Sequence, residues 1–285
     1  MRRRLIYGGA VYFGASSATY LYLRSKQPPA ATDGAATPAT PAVYDREFAS
    51  EYDSKIGLDE TMMGIGLLRR WLVRQASGDV LEVSAGTARN LLYYSGGQVR
   101  SLTVTDANPE MLARAFDKHR AGEGAGMGAP VRFCLANAER LVSAEQEQRT
   151  KQGGGGASSG GGFGPALDEL RSFQPGSFDT VVDTFGLCSC RDPVAALRQM
   201  GRALRPGGRL LLLEHGRGSW TFVNRILDSG ADKHCARWGC QWNRDIEALV
   251  REAGLVVERS SRWHLGTTHV VVARPRVAAA GVQSS

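Results

Sequence analysis

Acidic residues are absent from the start of this 285-residue chain until Asp33. Arg2, Arg3, Arg4, Arg24 and Lys26 precede it, so five charges of the formal +7 belong to the amino terminus and +2 remains for the rest. So small an excess argues against a nucleic-acid surface. Cysteine is scarce too. Five residues without regular spacing or a C-x-x-C pair argue against a disulfide framework. Cys188 with Cys190, or Cys235 with Cys240 beside His234, leave zinc as an alternative. The paired spacing of a structural site is missing, so buried or free thiols and no metal are expected. No G-x-G-x-x-G follows a strand-like run, so the glycine spacing is not that of a dehydrogenase.

Long apolar runs are also few, and one of them stands out. Leu5 to Leu23 contains no ionisable residue except tyrosine, and its 19 residues lie between the two basic clusters. At about 1.5 Å per helical residue this matches the hydrocarbon thickness of a bilayer. Tyr7, Tyr20 and Tyr22 suit the interfaces, and Ala10, Gly14 and Ala18 make a face of small residues. A secretory signal peptide and a cleaved mitochondrial presequence are the competing readings. The expectation is an uncleaved anchor over residues 1–26, with its single transmembrane helix at about 5–23. Residues 27–42, rich in Pro, Ala and Thr, read as a disordered linker.

The folded domain is expected over 43–275, with a disordered tail at 276–285. Tyr44, Phe48, Tyr52 and Ile56 recur at helical spacing, and Met62 to Val73 carry a second apolar pattern. These helices are expected to cover a sheet and to lid a ligand.

The organising stretch is Gly78 to Asn90, GDVLEVSAGTARN. Val80, Leu81 and Val83 form a short apolar run typical of a buried parallel strand, interrupted by Glu82. Ser84, Ala85, Gly86, Thr87 and Ala88 are small enough to let backbone approach a ligand before a helix expected near Arg89. A bare α/β turn without a ligand is the alternative. Leu102, Val104 and Asp106 then read as a second strand. An acid at a strand's carboxyl end can accept hydrogen bonds from both ribose hydroxyls of a nucleoside cofactor, or can cap the helix beginning near Pro109.

Val131 to Leu135 is a third strand, followed by Asn137 and Ala138. Residues 143–173 hold a Gly/Ser-rich insertion that cannot bury apolar surface. Phe178 to Val182 is a fourth strand with a loop from Asp183 to Cys190. A helix then ends at Arg205-Pro206-Gly207-Gly208, and Arg209 to Glu214 is a fifth strand with His215 at its mouth. Ile246 to Ala253 reads as helix, and Leu255 to Glu258 and His269 to Ala273 as a closing hairpin.

The turn resembles motif I of class I S-adenosylmethionine-dependent methyltransferases, an acid followed by G-x-G-x-G. Ser84 and Ala88 stand where that family has glycine, and only Gly86 is retained, which puts cofactor affinity at issue. FQPGSFDTVVDTFGLCSCRDPVAALRQMGRALRPGGRLLLLEHGRG is similar to the centre of the ubiquinone/menaquinone C-methyltransferases. LDSGADKHCARWGCQWNRDIEALVREAGL resembles membrane-anchored methyltransferase-like proteins, which include alkyl-thiol methyltransferases and a mitochondrial inner-membrane branch in fungi. The resemblance covers roughly Tyr44 to Pro275. It implies an α/β fold: a Rossmann-like, seven-stranded class I methyltransferase sheet with an antiparallel last strand.

S-adenosyl-L-methionine is the implied cofactor. Carried onto this chain, the resemblance puts Glu82, Ser84, Gly86 and Ala88 at the cofactor turn, Asp106 at the ribose, and Asn137 with Ala138 at the adenine. His215 and the run Trp238, Gly239, Cys240, Trp242 match segments near an acceptor pocket. His215 is the candidate catalytic base or orienting group, with a structural histidine as the alternative. The fourth strand is followed by neither Asn/Asp-Pro-Pro-Tyr nor Pro-Cys, which disfavours acceptors among nucleic-acid bases. The expected reaction is methyl transfer to a small apolar acceptor, thiol or quinone-like, at a membrane. The alternative is a non-catalytic membrane-anchored factor for respiratory-complex assembly, with a membrane-protein partner. The expected location is the mitochondrial inner membrane, single-pass, with the endoplasmic reticulum as the alternative.

Overall fold

A computed structural model of the protein describes residues 46–143 and 170–276. The anchor 1–26, the linker 27–42, Tyr44, all but the ends of the Gly-rich insertion, and the tail beyond 276 lie outside the described residues. Within them, no helix is long and apolar enough to cross a membrane.

Two helices lead in, α1 (Arg46–Met62) and α2 (Ile65–Val73), parted by Gly64 in a left-handed conformation. α2 buries Ile65, Arg69, Leu72 and Val73, one face of a helix. Seven strands follow: β1 (Gly78–Val83), β2 (Val99–Asp106), β3 (Val131–Leu135), β4 (Phe178–Thr184), β5 (Leu204–His215), β6 (Leu255–Trp263) and β7 (Thr268–Pro275). Their order is β3-β2-β1-β4-β5-β7-β6. β1 to β5 pair in parallel, and β7 runs antiparallel to both β5 and β6. The expected sheet with one reversed last strand is therefore present. β7 lies between two strands, and Val270, Val271, Val272 and Ala273 are all buried, which explains its unbroken apolar run.

Alternation along the strands builds two cores. Leu81, Val181, Leu210, Leu212 and Val271 face α4 (Pro193–Ala203) and α6 (Ile246–Glu252), meeting Leu197, Met200, Ile246 and Val250. Val80, Val104, Val182, Leu211 and Val270 face α2 and α3 (Pro109–Arg120), meeting Leu72 and Leu112. Asn108, Asp192 and Asp245 cap α3, α4 and α6 by accepting from backbone N–H groups three residues on. Asn108 thus takes the capping role considered for Asp106.

Several local expectations are corrected. The segment between β1 and β2 forms turns and a single 3-10 turn at Leu91–Tyr93, not a helix from Arg89. Asn90 is drawn inward to Glu82 and Thr184, and Gly96 and Gly97 then turn the chain into β2. β4 continues through Asp183 and Thr184, so both belong to the strand rather than its loop. The Arg205–Gly208 turn lies inside β5 as a bulge, since Phe178 pairs with Leu204 and Thr180 with Arg209. A long helix, α5 (Thr221–Trp238), was not anticipated; Val223 and Leu227 hold it against Trp242 and Leu265. Val142, just before the insertion, bridges Phe173 at its far end.

The sheet order reverses between β1 and β4. Their carboxyl ends open a crevice at this switch point, where ligands of open α/β sheets bind.

Candidate cofactor and acceptor site

The turn after β1 keeps the backbone that glycines would give it. Ser84, Gly86 and Ala88 have φ of 50°, 56° and 54°, all left-handed. For the two residues with side chains this costs roughly 1–2 kcal/mol each. Neither side chain blocks the turn. Ala88 is fully buried and its methyl packs in the core with Leu72 and Leu91, away from the crevice. Ser84 lines the crevice, facing Gly186 in the loop after β4. A Cβ on Gly186 would lie 2.5 Å from the Ser84 Cβ and 2.1 Å from Asp183 Oδ1. The side chain gained at 84 is accommodated by the glycine at 186 beside it.

Hydrogen bonds hold this strained turn. Asp106 accepts from the Gly86 N–H at 2.7 Å and the Asn108 N–H at 2.8 Å. Thr87 donates to Asp53 on α1 (2.7 Å), and Arg89 reaches Asp53 and Glu60 at 3.0 Å each, so α1 is latched over the turn. Behind it, Glu82 accepts from Asn90 (3.0 Å) and from the Tyr94 hydroxyl (2.7 Å). Arg69 donates to Asn90, Thr184 and Glu60 and stacks over Phe185 at 5.0 Å. Burial pushes Glu60 up, yet Arg69 and Arg89 bring it below the usual carboxylate range. Glu82, wholly buried, is pushed up by burial despite its two donors.

Of the residues expected at the site, Ser84, Gly86 and His215 meet in the crevice. The His215 ring lies 4.3 Å from that of Phe185. Glu82 and Ala88 are buried behind the turn and support it. Asp106, Asn137 and Ala138 lie further along the same sheet edge, at the ends of β2 and β3. The Asn137 side chain caps the short turn Ala138–Arg140, accepting from the Glu139 N–H at 2.8 Å, and Ala138 is buried.

Much of the rest of the lining is apolar, aromatic or thiol-bearing: Tyr52 and Ile56 from α1, Trp238, Trp242, Cys188 and Cys240, with Glu60, Arg69 and Arg89 as its charged part. The Gln241 N–H donates to Cys188 O at 2.9 Å, while Arg244 binds the carbonyls of Leu187 (2.8 Å) and Cys190 (2.6 Å). These bonds pin the loop after β4 to the segment after α5. The Cys240 thiol draws Cys188 below the ordinary thiol value and is itself raised by that neighbour and by burial. His234 stacks on Trp242 at 3.9 Å, and no three metal-ligating side chains converge among the described residues.

Sequence reasoning missed Asp53, Glu60, Arg69, Asn90 and Tyr94, the frame of the turn, and also the carboxylates of Asp183 and Glu214. The signal was present: a charge inside LLRRWLV, and acids directly after VV and LLLL.

A methyltransferase-domain family matches the chain over residues 61–260. The chain is 37% identical over 231 residues to the mitochondrial methyltransferase OMS1 of Saccharomyces cerevisiae, a match covering 81% of this chain and 45% of that one. It is 37% identical over 178 residues to the human thiol S-methyltransferase TMT1B, covering 60% and 57%. With the ubiquinone/menaquinone C-methyltransferase UbiE of Hahella chejuensis it shares 29% over 196 residues, covering 65% and 63%. The chain spans about half the length of these curated relatives. The O-methyltransferase NcsB1, solved with S-adenosylmethionine, superposes with TM-score 0.53 at 14% identity over 81% of this chain and 59% of that one, a likeness of fold. On the extent of the family match, this chain belongs to the methyltransferase-domain family, in the seven-stranded class that uses S-adenosyl-L-methionine.

Proposed function

We propose that the chain transfers a methyl group from S-adenosyl-L-methionine to a small apolar acceptor, a thiol or a quinone-like ring, at the mitochondrial inner membrane. The observation that carries this reading is the crevice between β1 and β4. The left-handed turn at Ser84 and Gly86 lines it together with aromatic and thiol-bearing side chains. The residues fit the cofactor: a Cβ at Gly86 would meet nothing within 4 Å, so backbone there is open to a ligand.

The cofactor supplies an electrophilic methyl on a sulfonium. The protein's work is to bind, align and exclude water. Ser84 and Gly86 hold the methionine end. Asp106 takes the ribose hydroxyls: each carboxylate oxygen already accepts one backbone N–H, and its remaining lone pairs can accept more. Asn137 and Ala138 take the adenine. Glu82 and Ala88 keep the turn in shape. α1, latched through Asp53 and Glu60, closes the crevice against water. His215 orients the acceptor and takes its proton on an imidazole nitrogen, since a thiolate is the nucleophile.

The thiol class is favoured by the similarity to TMT1B, and the mitochondrial location by the similarity to OMS1 and by the apolar run 5–23. Calorimetric titration of the full chain with S-adenosylmethionine comes first, then transfer of labelled methyl to alkyl thiols and quinols. Micromolar binding with transfer to thiols supports the reading. Transfer to quinols alone moves the acceptor class, and absence of binding leaves a non-catalytic membrane factor.

A further inference from the structure

Asp183 and Glu214 end neighbouring parallel strands. Asp183 pairs with Leu212 in the ladder, so Glu214 lies two residues on and shares its face of the sheet. Both side chains are fully buried. Neither Asp183 oxygen has a hydrogen-bond partner among the described residues. Glu214 accepts one bond, from the Gly186 N–H at 3.3 Å, and its Oε2 has none. A buried carboxylate in that condition is protonated or is matched by a cation.

Among the described residues no cation matches them: the backbone N–H groups of Thr184 beside Asp183, and of Gly186 and Phe185 beside Glu214, offset their burial only in part. The side chains acting most strongly on Asp183 are Cys188 in the following loop, Glu82 on β1 and Asp106 on β2, and those on Glu214 are Asp183 and Cys188. Cys190 in the loop feels both carboxylates, and Cys240 after α5 feels Glu214. All are acids or thiols. The arginines of this edge are committed: Arg69 to Glu60, Asn90 and Thr184, and Arg244 to Gln241 and the carbonyls of Leu187 and Cys190.

The pair stands directly behind the crevice. Asp183 Oδ1 and the Ser84 side chain, which lines the crevice, both lie against Gly186: a Cβ there would come within 2.1 Å of the first and 2.5 Å of the second. The methyl donor of this class carries a fixed positive charge on sulfur and loses it on transfer. We propose that Asp183 and Glu214 form a charge sensor, which holds a proton while no cation is in the crevice and releases it when a sulfonium enters. The protein thereby grips the cationic donor and lets the neutral thioether product go. The inference rests on the cofactor reading above. One proton leaves a carboxyl oxygen for solvent on binding and one returns when the sulfur becomes neutral. The acceptor's own proton is a separate one. Low polarisability around the pair gives this single charge its weight.

The test is calorimetry of the full chain with S-adenosylmethionine and with S-adenosylhomocysteine, in two buffers of different ionisation enthalpy. It is run below about pH 7, where the α-amino group of each ligand is protonated. The sulfonium ligand should release about one proton more than the thioether, and its affinity should rise by up to about tenfold per pH unit while that of the thioether stays flat. Asp183→Asn should remove the extra proton and narrow the preference for the sulfonium while thioether binding persists. Equal proton release by the two ligands overturns the sensor alone. Binding of neither overturns the cofactor reading and the sensor with it. Should Asp183→Asn fail to fold, the proton count on the unaltered chain decides, with Glu214→Gln as the second variant.

Discussion

Each edge of the sheet carries a pair of acids on neighbouring strands, and β4 contributes to both. At the amino-terminal edge Asp79 on β1 and Asp179 on β4 share Arg100 and Arg205, with contacts of 2.6 to 3.0 Å. Hydrogen bonds from Arg100 hold Asp79 far below the carboxylate range. Burial pushes Asp179 up, but the Asp79 N–H and Arg205 bring it below. At the carboxyl-terminal edge, Asp183 and Glu214 have no such cations among the described residues, and burial pushes both well above that range. The first edge is neutralised by its own residues and exposed to water, and it serves the fold. The second keeps an unmet demand for positive charge directly behind the crevice.

The two pairs pull the pH dependence of stability in opposite directions. Asp79 and Asp179 are depressed in the fold, so their contribution is present above about pH 4 and lost as pH falls below it. Asp183 and Glu214 are raised in the fold, so their protonated forms favour folding below about pH 4, and that advantage is lost as pH rises toward their folded values.

The largest expected effect is at Arg69, the buried cation nearest in role to the arginines of the other edge. Arg69→Ala should cost about 3–5 kcal/mol in urea unfolding, because Glu60 loses a buried partner and Asn90 and Thr184 lose a donor. Unchanged stability would mean that Arg69 does not pin α1 to the turn. Asp106→Ala should abolish S-adenosylmethionine binding in calorimetry while the fold persists; undiminished affinity would remove Asp106 from the ribose site. It should also cost about 1–3 kcal/mol, since the Gly86 and Asn108 N–H groups lose their acceptor.

Asp183→Asn and Arg205→Ala set the edges against each other. The first should stabilise the ligand-free protein by about 1–3 kcal/mol, with the gain growing above about pH 4. The second should cost under about 1 kcal/mol, because solvent screens that cluster. Matching losses from both would erase the contrast. The smallest effects are expected from Ser84→Gly and Ala88→Gly. Relief of left-handed strain, about 1–2 kcal/mol, is offset by about 0.5–1 kcal/mol of added chain entropy. Cofactor affinity should hold or tighten, and a clear loss would show that the Ser84 hydroxyl contacts the ligand.

Legibility in the sequence followed the kind of interaction. The run VLEV after Gly78 and the buried run around Val270–Ala273 announced strands by composition alone, and the final hairpin followed from their order. Ser84, Gly86 and His215 were legible because each closes a strand whose end could be read locally. The helix expected at Arg89 was not formed because Asn90 bonds to Glu82 and to Thr184, the latter on a strand distant in sequence. α5 was obscured by its polar residues: it buries only Val223 and Leu227 and is otherwise held through polar and aromatic side chains such as Asn224, Asp228, His234 and Trp238, so it lacks the wide apolar stripe that marks a core helix.

By itself the sequence determined the succession of strands and the small-residue turn, because apolar runs, caps and small residues act over a few positions, and its resemblance to known sequences supplied the methyltransferase-domain family. Only the tertiary structure decided that Ser84 is accommodated by Gly186, that Arg69 lines the crevice, and that Asp183 and Glu214 stand together without a counter-ion among the described residues. Each of those depends on strand register and on which charges the fold leaves within reach of one another, and these are set across the sheet rather than along the chain.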